Sequence, residues 1–291
     1  MIHKIKSGIF NILRQYVKNY ITGNLGKVEE EDGYLICYID ERKIKKKKIH
    51  HFIHCPGIRE KDKELAKAYK LYKKIYYVFE DLEFNNSYVT IFGYGSDSEI
   101  IIKKCKIKYG FDIKALGKCT VDNCLINSNY KLNLHAKNLT LKNMNINNAF
   151  ILSGCDFQVS FSADENLIIE NCTIGRINDK TKVFLTSLQN INLINSKIVA
   201  DTIKCSTKAL STYNFSLFKA KEKIEIDGEI LSSLTMISPV IKVNDEIIDK
   251  RIKLIDTLKN IRDKCIKINQ QKVKKYENNL NRVSLKRILK K

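Results

Sequence analysis

Apolar and polar residues trade places along this chain in a nine-residue pattern that returns many times. Its clearest copy is residues 138–146 (NLTLKNMNI), followed by 166–174 (NLIIENCTI) and 190–198 (NINLINSKI), with 99–107 (EIIIKKCKI) and 118–126 (KCTVDNCLI) before them. Weaker copies cover 76–84 and 223–231. Positions two and four of each copy are apolar, as in Leu139 and Leu141 or Ile191 and Leu193. Alternation at period two puts such residues on one face of a strand, here the inside. Position nine is apolar as well, running Phe84, Ile107, Ile126, Ile146, Ile174, Ile198 and Leu231. Successive copies lie 23, 19, 20, 28, 24 and 33 residues apart. Each therefore corresponds to one coil of a parallel β-solenoid, with loops of variable size between coils.

The remaining columns refine this picture. Position six is Asp81, Lys104, Asn123, Asn143, Asn171, Asn195 and Gly228. Asn and Gly tolerate a left-handed backbone, so a bend between two short strands is expected there, with the four asparagines stacking amide on amide in a buried or semi-buried row. Position seven runs Leu82, Cys105, Cys124, Met144, Cys172 and Ser196, a column of small or sulfur-bearing core groups. Position five begins Glu80, Lys103, Asp122, Lys142, Glu170. Its alternating signs would set opposite charges side by side and favour one register.

The flanks differ in character. Ile2, Ile5, Ile9, Leu13, Tyr16, Val17 and Tyr20 follow the spacing of one helix face, which predicts a basic amphipathic helix that caps the solenoid or lies on a membrane surface. Residues 34–39 read as a strand, 42–48 as a basic run, and 59–74 as a second helix. Beyond residue 248, Ile252, Ile255, Leu258, Ile261, Cys265 and Ile268 mark a long helix with Lys and Arg on its other faces. The expected organisation is a capping region over 1–75, a mainly β solenoid over 76–248 and a basic helical arm over 249–291.

Charge follows the same division. The total of +20 is concentrated in the ends: residues 1–75 hold 18 Lys and Arg against 9 Asp and Glu, residues 249–291 hold 15 against 4, and the repeats between them balance. An anionic partner is expected to meet the ends, at Lys43, Lys45, Lys46, Lys47 and Lys48 or at Lys272, Lys274, Lys275, Lys286 and Arg287. Nine cysteines are an odd number for a disulfide framework, and the N-terminus lacks the unbroken apolar run of about 7–15 residues of a secretory signal. A reducing cytoplasm is the expectation.

NLTLKNMNI, NLIIENCTI and NINLINSKI resemble repeats of the right-handed parallel β-helix in the pectin-lyase-like superfamily, over roughly residues 76–245. The resemblance implies the fold, but it spans polysaccharide lyases and hydrolases as well as non-catalytic adhesins and structural proteins. Its lyases use an Arg or Lys base and often acidic calcium ligands. Asp156, Asp164, Glu165, Arg176 and Asp179, in the longer loops around the 166–174 copy, are the nearest match. Paired carboxylates for glycoside hydrolysis are not evident in the sequence. His50, His54 and Cys55 are the candidate metal ligands; no second ligand cluster accompanies them, and no cofactor is expected.

These observations favour a non-enzymatic scaffold or assembly protein that meets another protein, a second copy of itself or an anionic surface through its basic ends. The alternatives are a carbohydrate-active enzyme acting on a polysaccharide, and a nucleic-acid or membrane-surface binder.

Overall fold

Strands that are apolar on alternate residues and too short to bury that face alone must stack, and in the computed structural model they do so as a parallel β-solenoid of about six turns. The structure describes residues 11–12, 18, 25–44, 50–55, 74–85, 87–96, 98–127, 131–147, 157–175, 181–232 and 234–248. Residues 59–73 of the predicted second helix, the basic arm over 249–291 and most of the N-terminal helix lie outside them, while Lys74, the last residue of that predicted helix, opens the strand Lys74–Glu80 instead. Among the described residues no helix is long and apolar enough to cross a membrane.

Each coil has three strand faces. The first holds Tyr34–Ile39, Lys74–Glu80, Ser98–Lys103, residues 118–122, 138–142 and 166–170, Asn190–Ile194 and residues 209–213, in parallel register. The second holds the short strands Glu83–Phe84, Lys106–Ile107, Leu125–Asn127, Asn145–Asn147, Thr173–Ile174, the start of Lys197–Tyr213, residues 217–219 and Thr235–Ile237. The third runs from His50–Cys55 through Tyr88–Gly93, residues 110–115, 132–136 and 157–163, and Thr181–Ser187 to Val240–Val243.

Six of the seven repeat copies stand in the register their columns require, with Tyr76, Glu99, Lys118, Asn138, Asn166 and Asn190 paired in turn. Positions two, four and nine of these copies are buried, Leu139, Leu141 and Ile146 completely. Position six has positive φ at Asp81, Lys104, Asn123, Asn143, Asn171 and Asn195, between 47° and 55°.

The seventh copy is elsewhere. Asn190 pairs with Ala209, whereas Lys223 belongs to the third face, against Thr202 and Val240. Phe218, fully buried, therefore takes the next place in the apolar column, followed by the buried Met236, and Leu231 is 53% exposed. The reason is local: residues 209–218 carry one extra residue, so Asn214 and Phe215 both adopt positive φ and the nine-residue spacing breaks. Meanwhile residues 223–227 alternate with the same apolar phase on another face.

The stack also begins earlier than the repeats announce. Tyr34–Ile39 pairs in parallel with Lys74–Glu80, and His50–Cys55 with Tyr88–Gly93, so both are coil strands. Gly26–Glu31 covers the first of them as an antiparallel hairpin, turned at Asp32 and Gly33 with positive φ at both, the geometry that matches strand twist. Another antiparallel hairpin, Val240–Val243 with Glu246–Ile248, ends the described stack.

Candidate functional site

The corners between faces absorb most conspicuous polar residues. Asn195 donates to Asn171 at 2.9 Å, Asn171 to Asn143 at 3.2 Å, and Asn143 to the Asp122 carboxylate at 2.8 Å. The expected amide row is thus real but lies exposed at the corner, and it ends on Asp122 rather than on Asn123. A second row at position one, unanticipated, joins Asn190 to Asn166 at 3.0 Å, Asn166 to Asn138 at 2.9 Å, and Asn138 to Glu165 at 2.8 Å.

Position seven is a hydrogen-bonded column as well as core. The left-handed residue before it interrupts the ladder and swings the side chain back under the carbonyl of position five. Cys105 Sγ thus faces Lys103 O at 3.4 Å, Cys124 Sγ faces Asp122 O at 3.3 Å and Cys172 Sγ faces Glu170 O at 3.2 Å, while Ser196 Oγ donates to Ile194 O at 2.8 Å. The freed N–H groups of Cys105 and Cys172 reach Cys124 Sγ and Ser196 Oγ in the next coil. Burial pushes the Cys37 and Cys172 thiols up to about 11 and Cys205 to about 12. Such thiols are poor nucleophiles.

Charged side chains tie coil to coil. Lys103 meets Glu80 at 3.0 Å and Lys142 meets Glu170 at 2.9 Å, the alternation expected at position five. On the same face Glu99, buried, lies 2.5 Å from Lys74 and 3.2 Å from Lys118. Burial alone would raise its carboxyl, but the two lysines hold it below the usual range.

Of the candidate lyase residues, Asp164 and Glu165 lie at the end of the third face, and Asp156, Arg176 and Asp179 fall outside the described residues. Glu165 is held by Asn138 and by Lys137 at 3.1 Å, both of which keep its carboxyl below the ordinary range. Asp164 lies 3.6 Å from His135 Nε2, whose Nδ1 is 2.9 Å from Ser162 Oγ. The trio has the composition of an acyl-transfer triad, yet it sits on strands paired on both edges. Backbone N–H groups there point along the sheet into neighbouring strands instead of toward an oxyanion. The trio acts as a cross-tie.

The metal candidates separate. In His50–Cys55 the side chains alternate, so His50 and His54 face outward while Cys55 is fully buried. The two imidazoles and the thiol therefore lie on opposite sides of the strand. Among the described residues no group of three or more His, Cys, Asp or Glu is placed to hold a metal.

His50 and His54 instead join a set of rings on the outer third face. His50 and Phe52 stack at 4.1 Å, His54 and Phe92 at 5.4 Å, His54 and Tyr94 at 5.7 Å, and Phe92 and Tyr94 at 6.0 Å. Phe52 and Phe92 lie 6.3 Å apart with planes 14° from parallel. Tyr88 meets His50 edge-on. Two hydrogen bonds fix the set, His50 Nε2 with Thr90 Oγ1 at 3.0 Å and His54 Nδ1 with Tyr94 Oη at 2.8 Å. Lys114 Nζ lies 6.0 Å from the Phe92 ring centre. Phe52 is 59% exposed and Tyr94 36%. Residues 88–94 (YVTIFGY) carry the signal by which the sequence could have shown this set: aromatics on the outward phase, Val89 and Ile91 on the inward one.

Of the anion-binding candidates Lys43 is described, exposed in the short helix Glu41–Ile44. Asp40 caps that helix by accepting from Arg42 N at 2.9 Å and pairs with its guanidinium at 3.0 Å. Lys45, Lys46, Lys47, Lys48, Lys272, Lys274, Lys275, Lys286 and Arg287 lie outside the described residues. Comparison with protein-family models, with curated proteins and with solved structures returned no match.

Proposed function

We propose that this protein is a non-catalytic solenoid scaffold that engages an anionic partner through its basic segments. The observation that carries the reading is the use made of its polar residues. Glu80, Glu99, Glu165 and Glu170, together with Asp122 and Asp164, all serve inter-coil contacts, so these carboxylates hold the coils in register. Basic excess is left in the flanks, where residues 1–75 and 249–291 account for the whole +20. The finer fold belongs to the same proposal: coils of right-handed sense, the hand that parallel strand connections overwhelmingly take, arranged as in the pectin-lyase-like β-helices. Buried, unpaired thiols at Cys37, Cys55, Cys105, Cys119, Cys124, Cys172 and Cys205 suit a reducing cytoplasm.

The test is affinity for oligonucleotides, sulfated polysaccharide and anionic vesicles as a function of salt. It compares the full chain with one variant in which Lys45, Lys46, Lys47 and Lys48 are Gln and another in which Lys272, Lys274, Lys275, Lys286 and Arg287 are Gln. Binding to at least one of these polyanions should fall steeply with salt, and the charge variants should flatten that slope. Salt-independent binding, or slopes unchanged in both variants, contradicts the proposal.

A further inference from the structure

We infer that the ring set on the first two coils of the third face is a stacking site for the bases of single-stranded nucleic acid. This rests on the anionic-partner reading above and deepens it. Along the stack, the columns that begin with Phe52 and His54 change character abruptly. Phe52 is followed by Thr90, Asp112, Asn133 and Ser160, and His54 by Phe92, Lys114, His135 and Ser162. Among the described residues the rings cluster in the first two coils, and beyond them this outer face is mostly polar, with His135 and, after Ser160, Phe184 as further rings. Fold stability does not call for this arrangement, because the inward residues of these strands, Ile53, Val89 and Ile91, already fill the core.

The chemistry of the site selects its ligand. Near-parallel rings, held in place by the His50–Thr90 and His54–Tyr94 hydrogen bonds, offer preformed π surfaces at little ordering cost on binding. A sheet face bearing exposed aromatics is a known platform for unstacked bases. Lys114 supplies a cation beside Phe92 for the phosphate backbone. Asp112, which follows Thr90 in the Phe52 column, accepts a hydrogen bond from the Tyr88 hydroxyl, which burial and that bond push up. A lipid surface fits less well, because two of the rings are imidazoles and the surrounding positions are Thr90, Asn133 and Lys114 rather than apolar groups.

The experiment is anisotropy of a labelled oligo-dT strand with the full chain, comparing wild type, Phe92→Ala, the triple variant Phe52→Ala/Phe92→Ala/Tyr94→Ala, Phe92→Trp and Lys114→Gln. Loss of a stacked base should weaken binding between about 5-fold and 150-fold in Phe92→Ala, and more in the triple variant. Phe92→Trp should retain affinity, and Lys114→Gln should lower the salt slope by about 0.7. Thermal unfolding shows whether the alanine variants keep their fold, and Phe92→Trp keeps the test valid if they do not. Salt-dependent oligo-dT binding that is indifferent to the rings overturns this inference and leaves the scaffold reading standing. Ring-dependent binding of sulfated polysaccharide or anionic vesicles, with none of oligo-dT, overturns the choice of partner. Absence of salt-dependent binding to any of them overturns both.

Discussion

At the scale of single residues, the asparagines at position six do two jobs that can be separated. Asn171 has φ of 53°, a conformation that costs most residues about 1–2 kcal/mol but that asparagine tolerates, and it also bonds to Asn143 and Asn195. The row is exposed, so its hydrogen bonds compete with water and add less than the backbone conformation does. Asn171→Ala should therefore lower stability to urea by about 1–2 kcal/mol, and Asn171→Gly, which loses the same amide but tolerates the backbone, by about 1 kcal/mol less. Equal losses would show that the amide row stabilises more than the backbone preference. The same residue chemistry makes position six readable from sequence at Asp81 and the four asparagines, whereas Lys104 takes the same left-handed conformation because the coil imposes it. The hydrogen bonds at position seven are not readable, because Cys and Ser there look like any small core residue until the neighbouring coil supplies the N–H.

Among elements, the first face is held by charge as well as by apolar packing, and Glu99 is where this matters most. Its carboxylate links strands Lys74–Glu80, Ser98–Lys103 and residues 118–122 through Lys74 and Lys118. Glu99→Gln should cost about 2 kcal/mol near neutral pH. Because folding lowers this carboxyl below its ordinary value, the stabilisation is present above the ordinary carboxylate range and fades as pH falls through the folded value. Denaturation at a series of pH values checks this: the gap between wild type and Glu99→Gln should be widest above about pH 5 and close on acidification. A gap that is constant with pH would assign the loss to packing.

Strand placement also shows where the letters stop being enough. The period-two pattern fixes which residues point inward, so the core of 138–146 follows from its sequence. It does not say which face of a coil a strand occupies, and spacing alone therefore puts 223–231 in the wrong column. Nor does it say which strands of distant number become neighbours. His50–Cys55 and Tyr88–Gly93 are some forty residues apart in the chain, and the ring set exists only once they pair.

Viewed as a whole, the molecule is a stack whose inside is uniform and whose outside changes along its length. Corner amides, inter-coil ion pairs and the buried columns repeat from coil to coil, while among the described residues the aromatic set occurs once, on the strands His50–Cys55 and Tyr88–Gly93 and the adjoining Tyr94. A solenoid of this kind is stabilised by nearest-neighbour contacts, so a recognition feature can sit on the outer face of one coil pair without disturbing the rest. The chain contains no tryptophan, which gives a direct readout: Phe92→Trp places a single indole in the ring set. Titrating that protein with oligo-dT should change its fluorescence saturably, with an apparent affinity that weakens as salt is raised. Unchanged indole emission while the strand is demonstrably bound would contradict base stacking on these rings.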